Sequence, residues 1–220
     1  MYIWRILIKM KKLNVQVVGV GGQGAVLLGQ ILKLATLSHD NINVVGTETR
    51  GAAQREGCVD ATIRYSITEE AEKEDPRRGV HGVLIPTGEA DLLIAMEPLE
   101  AYRSLHFVSE KTSIILNTYK ILPNTVIAEG LTYPEIEDMV EHMKKLTQNV
   151  YPINANQICK EEFGDFLRVN VILLGATLAT GKLPFTYEEI EDILKEKFKP
   201  PDKNLKALKI GYDEIKKQMN

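Results

Sequence analysis

Two stretches of the chain carry residue types able to do chemistry. The first is Gly19-Val20-Gly21-Gly22-Gln23-Gly24, which ends the β-branched run Val15–Val20 and precedes Val26, Leu27, Ile31, Leu34 and Ala35 at helical spacing. A glycine turn between a strand and a helix lets backbone approach an anion, and the unbonded N–H groups of the helix start attract it. The second is Thr47-Glu48-Thr49-Arg50-Gly51 with Gln54 and Arg55, a polar loop between apolar strands. Its arginines can clamp a phosphate or carboxylate with paired donors. Each stretch also has an ordinary explanation: glycines make tight turns, and Arg50 and Arg55 can pair with Glu48, Glu56 or Asp60. A nicotinamide reading needs an acid about 20 residues beyond the glycines to hold a ribose, and Glu48 is slightly late for it.

Other constellations fail. Ser38-His39-Asp40 has the letters of a hydrolytic triad, but consecutive residues at a helix end do not face one another. His81, His106 and His142 lack metal-ligand spacing. Glu97 and Glu100 around Pro98 suit the first turn of a helix, where the macrodipole favours carboxylates. Cys58 and Cys159 are the only cysteines, too few for an iron–sulfur cluster within the chain and too far apart in sequence for a Cys-x-x-Cys pair. Neither a catalytic acid, base or nucleophile nor a metal ligand set emerges.

The elements that must position these residues alternate. Strands are expected near 14–20, 42–48, 58–65, 91–96, 112–117, 126–128 and 149–153, with helices near 24–38, 98–106 and 134–147 between them. From Ala155 the pattern is helical throughout: 155–163, 167–180, 187–198 and 204–219. This implies an α/β fold, a three-layer domain with a mixed, largely parallel sheet and a helical C-terminal region over about 155–220 that packs on the sheet. Residues 1–12 read as an N-terminal extension, with Met10 an alternative start, and 13–220 as one domain. The segment from Glu69 to Gly79, rich in both charge signs, reads as an exposed loop.

The chain has 220 residues, 44% of them apolar and 26% charged, an ordinary globular composition. Its net charge of −3 argues against a surface built for nucleic acid or anionic lipid. No stretch reaches the ~20 apolar residues of a membrane span, and the N-terminal apolar residues, interrupted by Arg5 and Lys9, lack a signal-peptide cleavage site. A cytoplasmic protein is expected.

The G-x-G-G-Q-G turn, the T-E-T-R-G-x-x-Q-R-x-G loop, Leu84-Ile85-Pro86-Thr87-Gly88-Glu89-Ala90-Asp91 with Glu97-Pro98, and the helix carrying Asn170, Leu174 and Gly175 together resemble the gamma domain of the 2-oxoacid:ferredoxin oxidoreductases. The resemblance runs from about Leu13 to the C-terminus, and it is greatest to the beta subunits of the indolepyruvate branch. It implies a coenzyme A-dependent oxidative decarboxylation of aryl 2-oxoacids, with electrons passed to ferredoxin. It also implies that thiamine diphosphate, magnesium and the iron–sulfur clusters sit in a larger alpha subunit, for the family's Gly-Asp-Gly motif is broken here at Gly164-Asp165-Phe166. Gly19, Gly21, Gly22, Gln23, Gly24, Thr47, Glu48, Thr49, Arg50, Gln54 and Arg55 are then candidates to touch coenzyme A or the partner subunit. Three other functions stay open: a gamma subunit for pyruvate or branched-chain 2-oxoacids, a free-standing nicotinamide-dinucleotide protein, and a non-catalytic assembly protein.

Overall fold

The structure is a computed structural model that describes residues 10–51, 57–68, 79–122, 130 and 132–219. Gln54, Arg55, the charged segment 69–78, the strand expected at 126–128 and residues 1–9 lie outside the described residues.

Six strands form one mixed sheet: β1 (Met10–Val20), β2 (Ile42–Arg50), β3 (Cys58–Thr68), β4 (Leu92–Ala95), β5 (Ser113–Asn117) and β6 (Val150–Ile153), in the order β2-β3-β1-β4-β5-β6. β1, β4, β5 and β6 run parallel, while β3 is antiparallel to both β1 and β2. Central β4 and β5 are buried at every position, as strands covered on both faces must be. β1 begins four residues earlier than the apolar run suggests. Met10 to Leu13 pair with Tyr65 to Thr68, because the antiparallel partner supplies backbone bonds whatever the exposed lysines prefer.

Helices cover both faces. On one side lie α1 (Ala25–Leu34), α4 (Ala155–Phe163), α5 (Val169–Ala179), α6 (Tyr187–Lys197) and α7 (Pro201–Met219), whose apolar residues join Val15, Val17, Leu92 and Ile94 in one core. On the other, α2 (Pro98–Arg103) and α3 (Ile136–Leu146) close over Val18, Leu93, Ile114 and Leu116. The C-terminal helices thus pack on one face of the sheet and share its core. Each fully buried Leu or Ile in these clusters contributes roughly 1.5–3 kcal/mol. Tyr65 Oη donates to the Leu32 carbonyl at 3.0 Å and fixes α1 on β3.

The first helix ends sooner than its apolar spacing suggests, giving way to a 3₁₀ turn at Ala35–Ser38. His39 just beyond it meets Glu189 at 2.9 Å and the Phe185 ring, so the triad-like letters are a helix terminus. α5 is buried along its whole length and crosses α7 where Gly175 and Gly211 bring the two backbones together.

Candidate functional site

All four parallel strands end at the same edge of the sheet, where α/β folds bind ligands. The glycine turn lies there beside the described ends of the β2–β3 connection: Gly21 N–H donates to the Gly57 carbonyl at 2.9 Å, and Gly51 N–H to that of Cys58 at 2.8 Å. Beside the turn, among the described residues, is a cleft of about 710 Å³ bordered by Gly21, Gly22, Gly24, Arg50 and Cys58.

The turn presents donors. The first bond entering α1 runs from Leu28 N–H to the Gly24 carbonyl. Among the described residues, the N–H groups of Gly22, Gly24, Ala25, Val26 and Leu27 therefore have no acceptor. Gly22 and Gly24 adopt φ of 96° and 88°, conformations that only glycine takes at little cost. Arg50 is exposed and borders the same cleft, so N–H donors and a positive charge, the groups that suit an anion, line one space.

The Gln23 side chain is engaged within the protein. Its Oε1 accepts from Val20 N–H at 2.7 Å and its Nε2 donates to the Met96 carbonyl at 2.9 Å, so both ends of the amide are engaged inside the protein. It braces the end of β1 against the end of β4. Asn117 Nδ2 donates to the same Met96 carbonyl at 2.8 Å and to Asn156 Oδ1 at 2.8 Å, while its Oδ1 accepts from Ala155 N–H. One polar chain thus ties the turn to β4, β5 and the start of α4. Gln23→Met should lower stability by about 1–3 kcal/mol, because it strands the buried Val20 N–H; denaturant unfolding checks this, and an unchanged midpoint would show that the brace contributes nothing.

β2 splits its candidates between two faces. Arg50 and Glu48 lie on the α1 side, whereas Thr47 and Thr49 alternate to the opposite face and do not border the cleft. Glu48 meets Lys33 of α1 at 3.2 Å. Antiparallel β3 separates β2 from β1, so Glu48 does not stand at the end of a parallel neighbour where a nicotinamide ribose would be held. The nicotinamide reading loses its acid. Of the eleven candidates, then, Gly21, Gly22, Gly24 and Arg50 border one cleft, and Gly19 backs it against Gln23 and Met96.

Among the described residues, Cys58 and Glu97 near this edge are held by their surroundings. Burial pushes the Cys58 thiol well above its ordinary range, helped by Glu100 and Asp60, so it is no thiolate at neutral pH. Glu97, also raised by burial, caps α2 through Glu100 N–H at 3.0 Å and accepts from the Tyr133 hydroxyl. Gly164-Asp165-Phe166 cannot serve as a diphosphate–magnesium motif. Gly164 is the left-handed cap of α4, and Asp165 is held below its ordinary pKa by the Leu167 N–H and by Arg168. With two cysteines in the sequence, the residues present fit neither thiamine chemistry nor a cluster.

Sequence reasoning missed Asn170 as a neighbour of the turn, although the signal was there. It is the one amide in α5, whose other residues are apolar apart from Thr177, and a Cβ placed on Gly24 would lie 2.7 Å from its Nδ2.

The fold is that of an α/β domain with a helical C-terminal region, and residues 14–214 match the pyruvate ferredoxin/flavodoxin oxidoreductase family; the chain belongs to that family. It is 40% identical over 205 residues to the indolepyruvate oxidoreductase subunit IorB of Archaeoglobus fulgidus, covering 92% of this chain and 95% of that one. Among solved structures, the pyruvate oxidoreductase subunit PORC of Thermotoga maritima superposes with a TM-score of 0.62 at 22% identity, covering 92% of this chain and 96% of that one. A 2-oxoglutarate:ferredoxin oxidoreductase from Magnetococcus marinus, solved with 2-oxoglutarate, coenzyme A and succinyl-CoA, gives 0.66 at 19% identity, covering 94% of this chain and 31% of that longer one. Both structures share the fold. Among the described residues, no helix is long and apolar enough to cross a membrane.

Proposed function

We propose that the chain is the beta subunit of a cytoplasmic indolepyruvate ferredoxin oxidoreductase that carries out coenzyme A-dependent oxidative decarboxylation of aryl 2-oxoacids. The partner is a larger alpha subunit that holds thiamine diphosphate, magnesium and the iron–sulfur clusters and passes electrons to ferredoxin. The likeness to the Archaeoglobus subunit over nearly the full length of both chains supports the substrate class. That this fold makes up 31% of the longer Magnetococcus chain supports a domain that works inside a larger assembly.

The observation that carries this chain's own part is the cleft, which is bordered both by Arg50 and by residues of the turn and the start of α1 whose N–H groups have no acceptor among the described residues. The backbone donors receive a phosphate of coenzyme A and Arg50 adds a charge-assisted bond, while the bond making takes place on the partner's cofactors. Arg55 is proposed to act with Arg50.

Arg50→Ala should weaken coenzyme A binding, measured by calorimetry on the complex, by about tenfold or more, the loss of a charge-assisted bond of roughly 1.5–3 kcal/mol. Its effect on unfolding should stay under about 1 kcal/mol, since the side chain is exposed. If coenzyme A affinity is unchanged while stability falls, Arg50 is a structural ion-pair residue and the cleft assignment is wrong.

A further inference from the structure

β2 is the outer strand of the sheet, with β3 on its inner side. The bonds at its two ends decide which residues face outward: Gly51 N–H donates to the Cys58 carbonyl at 2.8 Å, and Thr68 N–H to that of Asn41 at 3.0 Å. Asn41 and Gly51 therefore bond to β3, and with them the odd-numbered residues between, because bonded and unbonded pairs alternate along an antiparallel ladder. Ile42, Val44, Gly46, Glu48 and Arg50 turn their N–H and C=O groups away from the sheet, and no strand among the described residues pairs with them. Natural edges are blunted by proline, lysine, a bulge or brevity. This one is nine residues long, keeps an unbroken register with β3, and carries neither proline nor lysine.

A groove runs along the α1 side of this edge. Gln30, Lys33, Leu34 and Leu37 line its volume of about 390 Å³, and Leu37 is 80% exposed, more than any other large apolar side chain among the described residues. Lys33, on its border, bonds to Glu48 of β2 at 3.2 Å, which puts the groove beside the edge and offsets the Glu48 charge there. An unpaired strand with an uncovered leucine next to it is a surface for another strand and the helix that travels with it.

We propose that the occupant is a second copy of this chain: two β2 strands join antiparallel about a two-fold axis at Val45 and make one continuous sheet. This register sets outward residues opposite outward residues, Ile42 with Glu48 and Val44 with Gly46, each twice by symmetry. It also matches charge, because exposed Arg50 at the end of one strand falls opposite exposed Asp40 just before the start of the other. A strand with a negative group before its start and a positive group at its end is complementary to itself only when antiparallel. On the second face Val45 meets its own copy and Asn43 meets Thr47. The two grooves lie on one face of the joined sheet, on either side of the axis, and each copy brings cover to the other's Leu37. A guanidinium has five N–H donors, so an Asp40 carboxylate leaves others of Arg50 for the cleft. The inference does not rest on the coenzyme reading.

Analytical ultracentrifugation of the full-length chain tests this, and a dimer whose fraction rises with concentration is expected. Val44→Pro removes an N–H that points away from β3, so it should leave a monomer that circular dichroism shows to be folded. Asp40→Arg and Arg50→Asp should each weaken the dimer by about tenfold or more, and the double variant, which exchanges the two charges, should restore it. If Val44→Pro does not fold, the charge exchange alone decides. A monomer at every concentration, which leaves the edge to a different occupant, overturns the proposal. So does a dimer that folded Val44→Pro or the single charge variants leave intact, or a loss that the double variant does not recover.

Discussion

Gly211→Ala and Gly175→Ala are each expected to destabilise the protein by about 3–5 kcal/mol, in the range where core overpacking becomes exceptional. A Cβ at Gly211 would lie 1.8 Å from the Ile172 carbonyl oxygen, and one at Gly175 would lie 2.0 Å from that of Leu208. These are backbone atoms of the facing helix, so no rotamer change relieves the clash. α5 and α7 would have to separate, and α5 is buried along its whole length between the sheet and its neighbours. Alanine's better helix propensity recovers only about 1 kcal/mol. Denaturant unfolding of each variant measures the effect, and a stability equal to the parent would show that the helices do not approach this closely.

The second large effect separates two glycines of the turn. Gly22 and Gly24 have nearly the same left-handed φ, 96° and 88°, so alanine at either carries a similar backbone penalty of roughly 1–2 kcal/mol. Their surroundings differ: nothing lies within 4 Å of a Cβ at Gly22, whereas one at Gly24 falls 2.7 Å from Asn170 Nδ2. Gly24→Ala should therefore cost more stability than Gly22→Ala, and it should also weaken anion binding at the turn by displacing the start of α1. Unfolding curves and diphosphate titrations of both variants decide it. Equal losses would show that Asn170 does not pack against the turn.

Much of this fold was legible because its elements obey local rules. β4 and β5 are short continuous apolar runs, and α6 carries a Thr186–Glu189 capping box that announces its start. The glycine turn was legible as a phosphate-type turn because a strand precedes it and a helix follows. What local pattern could not supply was strand order. The insertion of antiparallel β3 between β1 and β2 is a tertiary fact, and it alone removes Glu48 from the ribose position. Nor could spacing show that the Gln23 amide turns inward to Met96. The close approach of α5 and α7 was foreshadowed only by glycines inside helical patterns, which cost stability unless packing requires them.

The central claim is that this chain supplies binding and assembly to an oxidoreductase whose redox cofactors lie in a partner. The most direct measurement is an anaerobic assay of arylpyruvate-dependent ferredoxin reduction, run with the purified chain alone and again with a larger subunit bearing a Gly-Asp-Gly motif and cluster cysteines. The account predicts no turnover by the chain alone and coenzyme A-dependent turnover on mixing that exceeds that of the larger subunit by itself. Arylpyruvate decarboxylation by this chain alone, tight stoichiometric binding of a nicotinamide dinucleotide to it, or a larger subunit equally active without it would contradict the account.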